Sequence, residues 1–354
     1  MKSKKLAILC AYRLLPDRVG GMDYFFWKFD YEAKKLGWNP VWFFPNNSEH
    51  GQYGDLHIVS SEGLSVEDSF LSYNQQFDYV FTHFLELCTP FFKMARPLVR
   101  KNFIAVDHNP RPLGGYPFKK RIEKRVKGLL YGRYIDRFVG VSNYTVKELI
   151  ADFGCVIRDR TSCIYNGIIA ADIQVRTERN TVKPKFVVVS HLRETKGIQD
   201  LIAAVSLLEE EIKKELQIDV FGSGPYEEVL FQLCDRFEVR QNFNFRGNSP
   251  TIKQQLANYD YLLQPTHMEC FSLSILESLA ANVPVITTPV GGNKEAVHHG
   301  KNGLILPAKN VNAWVIALQK LWRGSVVLDS NVSDTIRKHF SLENMVQNYL
   351  KLLQ

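Results

Sequence analysis

The chain has 354 residues, 45% apolar and 23% charged, with a net charge of +7. These proportions fit a globular chain of about two domains and exclude a disordered, collagen-like or low-complexity polypeptide. The charge is local. Residues 111–137, RPLGGYPFKKRIEKRVKGLLYGRYIDR, hold nine Lys/Arg and two acids, which leaves the rest of the chain balanced.

Six cysteines, Cys10, Cys88, Cys155, Cys163, Cys234 and Cys270, are scattered without a C-x-x-C pair. The expectation is reduced thiols in a cytosolic protein and no zinc site. The stretch MKSKKLAILCAYRLLPDR superficially mimics a signal peptide. Its apolar run, residues 6–12, is short and meets Arg13 at once, so a buried first strand is the better reading. No run approaches the roughly 18–20 apolar residues of a membrane span.

In chain order, KLAILCAY reads as a strand and RLLPDRVGGMD as a loop. YFFWKFDYEAKKLGW is helix-like, with Gly37 as its stop. NPVWFFP, DYVFTHF, NFIAVDH and DRFVGVS are short apolar strands. NYTVKELIADFG follows as a helix, capped by Ser142 or Asn143 and ended by Gly154. Strands of this kind alternating with helices predict a parallel sheet covered on both faces. The second half repeats the pattern. FVVVSHL, LQIDVFG, FNFRG, YDYLLQP, PVITT and NGLIL are strands; IQDLIAAVSLLEEEI, YEEVLFQLCDRF and NAWVIALQKLW are helices. SLENMVQNYLKLL closes as a helix with Ser341 as its N-cap. The fold class is α/β, with two Rossmann-like doubly wound domains and a central cleft. The domains span 1–174 and 186–340, joined by a polar linker at 175–185. Ligands of such sheets sit beyond the carboxyl ends of strands, so chemistry is sought in the loops there.

Gly20 and Gly21 follow the first strand, where bare backbone can approach a phosphate or sugar. SHLRETKG sets His191, Arg193 and Lys196 ahead of a helix, an arrangement suited to a diphosphate and equally open to reading as a solvated loop. Gly222 and Gly224 in FGSGP are explained by turn chemistry. Gly291-Gly292 in TPVGGNKEA form a second glycine pair after a strand. MECFSLSILES holds Glu269 in a loop and Glu277 on the following helix, with Ser272 or Ser274 as cap. The two carboxylates either bracket a ligand over the helix N-terminus, where N–H groups near Ser272 and Leu273 can receive phosphate, or are simply solvated. His83 and His108 end strands, as structural or as cleft-facing residues. Asp-x-Asp, G-x-G-x-x-G, G-x-S-x-G and P-loop motifs are all absent.

Taken together, these residues resemble the retaining glycosyltransferases of family 4, with the GT-B fold. The match is densest over residues 269–303, ECFSLSILESLAANVPVITTPVGGNKEAVHHGKNG, with SHLRETKG, FGSGP, CIYNGI and GVSNYTVKEL as further blocks in order. The resemblance implies an acceptor-binding first domain and a nucleotide-sugar-binding second domain, with helix 341–354 crossing back onto the first. It implies that Lys196 and a neighbouring cation hold the diphosphate. Glu277 would bind ribose and Glu269 the transferred sugar's hydroxyls, with the backbone of Phe271, Ser272 and Leu273 over sugar and phosphates. His108 would face the reacting sugar, and Gly20-Gly21 fit the same scheme. His191 stands where the family usually has arginine, so Arg193 is the alternative diphosphate ligand. Asp23 stands where glutamate is common.

The expected activity is transfer of a hexose-type sugar from a nucleotide-diphosphate donor to a glycan or lipid-linked saccharide in cell-surface polysaccharide assembly. The donor is a co-substrate; no cofactor and no metal are expected, because cations and helix N–H groups stabilise the leaving diphosphate. A GT-B sugar phosphorylase or nucleotide-sugar epimerase is the near alternative, and a basic nucleic-acid-binding protein the distant one. No nucleic-acid module accompanies the basic residues, so nucleic acid is not an expected partner. The stretch 111–137 contains a basic amphipathic helix with Phe118, Ile122, Val126 and Leu129 on one side. That pattern suits an anionic membrane surface as well as a solvated face, and makes the expected location cytoplasmic, peripheral on the inner face of the plasma membrane.

Overall fold

The structure, a computed structural model, describes residues 4–15, 19–48 and 53–354. Part of the expected loop RLLPDRVGGMD therefore lies outside the described residues. The chain divides into two compact units, residues 1–166 with 342–354, and residues 167–341.

The first unit is built on a seven-stranded parallel sheet. Its strands are β1 (Lys4–Cys10), β2 (Trp38–Phe44), β3 (Ile58–Ser60), β4 (Phe77–His83), β5 (Val99–Asp107), β6 (Arg137–Gly140) and β7 (Thr161–Cys163). They lie in the order β3-β2-β1-β4-β5-β6-β7. The second unit has β8 (Phe186–Val189), β9 (Ile218–Phe221), β10 (Phe243–Gly247), β11 (Tyr261–Gln264), β12 (Val285–Thr287) and β13 (Gly303–Ile305). Their order is β10-β9-β8-β11-β12-β13. The near-continuous apolar strands are those of sheets buried on both faces: Leu6, Ala7, Ile8, Leu9 and Cys10 in β1 are all at most 1% exposed. In each sheet the strand order reverses once, between β1 and β4 and between β8 and β11. Loops leaving the carboxyl ends of those strands diverge there and open a crevice.

Several boundaries differ from the sequence reading. β3 and β7 are three residues each, too short to register as apolar runs, and β7 is polar as well. The helix expected over IQDLIAAVSLLEEEI breaks into Ile198–Ser206 and Glu210–Lys213. At the break the Ser206 hydroxyl donates back to the Ala203 carbonyl, a local bond that competes with helix continuation. Residues 175–185 are not a free linker. The buried Asp260 carboxylate accepts from the backbone N–H groups of Asn180 and Lys185 at 2.7 Å each and pairs with Arg176. These contacts hold the polar stretch against the second unit, and the units part at Asn166/Gly167 instead.

Residues 342–354 belong to the first unit. The helix Leu342–Lys351 buries Tyr349 among Phe25, Phe29 and Phe81, with ring centroids 5.0, 6.4 and 6.1 Å away. The Tyr349 hydroxyl has no hydrogen-bond partner among the described residues. Tyr349→Ala should lower stability by about 3–5 kcal/mol in urea denaturation. Tyr349→Phe removes an unsatisfied hydroxyl without opening a cavity, so its midpoint should match or exceed that of the parent chain.

Candidate active site

In the second unit the decisive loops leave β8 and β11, the neighbours at the reversal. After β8 comes Ser190-His191-Leu192-Arg193, then a 3-10 turn at Glu194–Lys196, then Gly197 and the helix Ile198–Ser206. Gly197 has φ +73°, and a side chain on it would lie 1.9 Å from the Pro265 carbonyl oxygen. Only glycine allows the two loops to meet backbone to backbone. The His267 N–H donates to the Thr195 carbonyl at 2.8 Å, and the His267 ring pairs with Asp200 at 2.6 Å. Held in this way, Lys196 reaches across to Glu269, Nζ to Oε2, at 2.8 Å. The other Glu269 oxygen accepts from the Cys270 N–H at 3.1 Å. The loop after β12 closes the group, as the Gly292 N–H donates to the Cys270 carbonyl at 2.7 Å.

Ser272 is the N-cap of the helix Leu273–Ala280, its hydroxyl accepting from the Ile275 N–H. The Gln264 amide, at the end of β11, donates to the same hydroxyl at 2.6 Å and so ties the cap to the sheet. Phe271 is buried against Phe340, which leaves the first turn of the helix as a set of N–H donors with a positive dipole end. Within the helix, Glu277 is 7% exposed and pairs with Lys253 at 3.0 Å. Burial raises the Glu277 carboxyl above its ordinary range, and the Lys253 ammonium opposes that shift. Arg193 and His191 are both exposed on the β8 loop. Lys196 and Glu269 thus stand together by the capped helix, and Glu277 lies further along that helix, engaged with Lys253. This arrangement offers a cation, helix N–H groups and two carboxylates, which together can hold a phosphorylated, hydroxyl-rich ligand. A cleft beside β9 and β10 is lined by Phe221, Arg246, Asn248, Ser249 and Tyr259.

In the first unit, Gly20-Gly21 follow β1. The Gly20 N–H and the Tyr53 hydroxyl both donate to the fully buried Asp23 carboxylate. Asp23, noted from sequence only as a departure from glutamate, is therefore the staple of that loop. His83 ends β4 and His108 follows β5, with His83 Nδ1 and His108 Nε2 3.0 Å apart. Phe84 stacks on His108 at 4.1 Å. Burial pushes His108 down to about 3 and His83 well below its ordinary value, the neighbouring His108 adding to the effect on His83. Both imidazoles are neutral near pH 7.

Sequence reasoning missed Lys253, His267 with Asp200, and Gln264. Lys253 sits in no motif; its pairing with Glu277 spans separate elements. Gln264 and His267 precede the quoted segment MECFSLSILES, at the end of β11 and in the loop leaving it, and that position was the available signal. Arg111 was counted as surface charge, but it is 4% exposed and pairs with Asp107 at 2.7 Å and Asp152 at 2.8 Å. Burial works against its charge, and the two carboxylates outweigh that. Lys124 joins the same cluster at 3.1 Å from Asp152.

Two doubly wound units with these strand orders define the GT-B fold. Residues 171–338, which lie within the second unit, match the family described as Glycosyl transferases group 1. An uncharacterized glycosyltransferase of Methanocaldococcus jannaschii is 25% identical over 235 residues, 60% of each chain. The N-acetyl-alpha-D-glucosaminyl L-malate synthase of Bacillus anthracis is 31% identical over 117 residues, 33% of this chain and 30% of its own. The chain thus spans less than two thirds of either relative. The crystal structure of HepE from Anabaena in complex with UDP-glucose has a TM-score of 0.75 to this chain at 17% identity, covering 99% of both. That likeness is one of fold.

Two outcomes follow from this geometry. Gly197→Ala forces a strained φ and a backbone clash, so urea denaturation should show a loss of about 1–3 kcal/mol. Unfolded imidazoles take up protons near pH 6.5, while the folded pair resists until far lower pH. Stability should therefore fall as pH drops from about 6.5 towards 3, with a slope approaching about 1.4 kcal/mol per pH unit for each imidazole. His108→Gln should flatten that slope in denaturation series run at successive pH values; an unchanged slope contradicts the assignment.

Proposed function

We propose that the chain is a retaining glycosyltransferase of family 4, moving a hexose-type sugar from a nucleoside diphosphate donor to a glycan or lipid-linked saccharide in cell-surface polysaccharide assembly. The observation that carries this reading is the Lys196–Glu269 pair at 2.8 Å beside the capped start of the helix Leu273–Ala280. A cation and a carboxylate so placed are stand-ins for each other's ligand. A donor diphosphate takes over the Lys196 ammonium and the helix N–H groups, and Glu269 is released to the hydroxyls of the sugar. Glu277, paired with Lys253, is assigned to the ribose hydroxyls. The loop around Arg246–Thr251 and the adjacent cleft are assigned to the base. The choice of donor is supported by the HepE structures, which hold UDP or UDP-glucose.

The chemistry asks for stabilisation of charge on the departing diphosphate, which Lys196, helped by Arg193 or His191, and the helix N–H groups supply. The acceptor hydroxyl attacks the anomeric carbon on the face from which the diphosphate leaves. The bond from that carbon to the diphosphate oxygen breaks, the bond to the acceptor oxygen forms, and the hydroxyl proton passes to the departing phosphate. His108, as a neutral imidazole, is equipped to hydrogen-bond a sugar hydroxyl and not to supply a cation.

Lys196→Ala should cut kcat by about 100–1,000-fold, the typical cost of one donor to a developing oxyanion. Glu269→Ala should fall by a comparable factor, and Glu277→Ala should act mainly through KM for the donor. Thermal shifts with UDP, GDP and their sugars identify the donor, and NMR of the product anomer reads the stereochemistry. Near wild-type turnover in both Lys196→Ala and Glu269→Ala defeats the site assignment; an inverted anomer defeats retention.

A further inference from the structure

The helix Phe118–Tyr131 is turned the wrong way round for a soluble surface. Its apolar residues face out: Phe118 is 75% exposed, Leu129 59%, Leu130 52%, Ile122 49% and Val126 46%. At about 100° per residue, Phe118, Leu129, Ile122 and Val126 share about 80° of arc, and Leu130 extends it to about 120°. The opposite side packs on the helix Asn143–Phe153. A side chain at Gly128 would lie 2.1 Å from the Phe153 carbonyl oxygen, so the two helices meet at bare backbone. On that inner side Lys124 is drawn into the Asp107–Arg111–Asp152 cluster, which fixes the rotation of the helix and the outward direction of the stripe.

The cluster also revises the charge reading. Arg111 and Lys124 are consumed inside the fold. The outward basic residues are Arg121 along one border of the stripe and Lys119 within it; Arg125 turns to the neighbouring helix, its Nη2 donating to the Ala151 carbonyl at 2.9 Å. Lys120 and Lys127 stand beyond the other border with Glu123 between them. Lys119 and Arg121 have no ion pair among the described residues.

We propose that this face docks on an anionic lipid surface, with Phe118, Ile122, Val126, Leu129 and Leu130 entering the headgroup–acyl boundary and Lys119 and Arg121 meeting the phosphates. An apolar arc bordered by cations is complementary to such a surface on both counts. A second copy of the chain is a poor occupant, because a two-fold contact would set these cations against themselves. Among the described residues no helix is long and apolar enough to cross a membrane, so the contact is one of lying on the surface. The inference does not depend on the proposed chemistry.

Sedimentation of the full chain with vesicles tests it. Vesicles of phosphatidylglycerol and phosphatidylcholine should carry the protein down at low salt, and pure phosphatidylcholine vesicles should bind at least roughly tenfold less. Lys119→Glu/Arg121→Glu should lose at least roughly tenfold in affinity for the anionic vesicles. Phe118→Gln/Ile122→Gln/Leu129→Gln should abolish sedimentation while its melting temperature and circular dichroism stay those of the parent, since the changed side chains are exposed. Failure to bind anionic vesicles at low salt overturns the proposal, as does equal binding by either variant. So does a parent chain that ignores vesicles but forms a dimer through this face or shifts a DNA duplex on a gel.

Discussion

The pairing of β8 with β11 governs the second unit. Both strands run parallel, so both deliver their following loops at the same end of the sheet, and the reversal of strand order puts those loops side by side. Every feature of the site descends from that adjacency. The bare backbone of Gly197 against Pro265 brings the loops into contact; the contact sets Lys196 opposite Glu269; the β11 loop then enters the helix whose cap is tied back to the sheet through Gln264. The first unit repeats the constraint with β1 and β4, and its glycine pair and its His83 lie at the carboxyl ends of those two strands. Two copies of one topological rule thus place both sets of candidate residues.

Charge is handled differently at each place where it is withdrawn from water. Asp260 is buried and saturated, with two backbone N–H groups and Arg176, and serves purely to hold residues 175–185 in place. The Arg111 cluster likewise has its partners built in. Among the described residues, the side chains of Lys196 and Glu269 have only each other and one N–H as partners, at side-chain exposures of 21% and 16%. A pair so lightly supported can exchange partners at small cost, whereas dismantling either saturated cluster leaves a buried charge unpaired. The difference sets the candidate binding pair apart from the clusters that brace the fold.

Most of the fold was legible because buried parallel strands write themselves as apolar runs: FVVVS and KLAILC need no context. The site was legible in part for the same reason, since Lys196, Glu269 and Glu277 each follow such a run. What stayed hidden depended on partners far away in sequence. Nothing near Lys253 announces Glu277, and nothing near Arg176 announces Asp260, so one was missed and the other read as linker. Arg111 misled for the converse reason: a basic residue in a basic stretch reads as surface until the two carboxylates around it are located. The outward stripe of the helix Phe118–Tyr131 was visible as periodicity, but periodicity cannot say which side faces the core; Gly128 and Lys124 decide that.

The backbone of the second unit enters and leaves through neighbouring positions. Ile168 bridges Ser341, and the Ile168 N–H donates to the Phe340 carbonyl at 2.9 Å. Topologically this unit is an insertion into the first, whose final helix comes only after it. During synthesis the ring of Phe25, Phe29 and Phe81 is therefore made early and must wait, open on one side, until Tyr349 emerges behind the whole of the inserted unit. The first unit can complete this aromatic cluster only after the inserted unit has been synthesised.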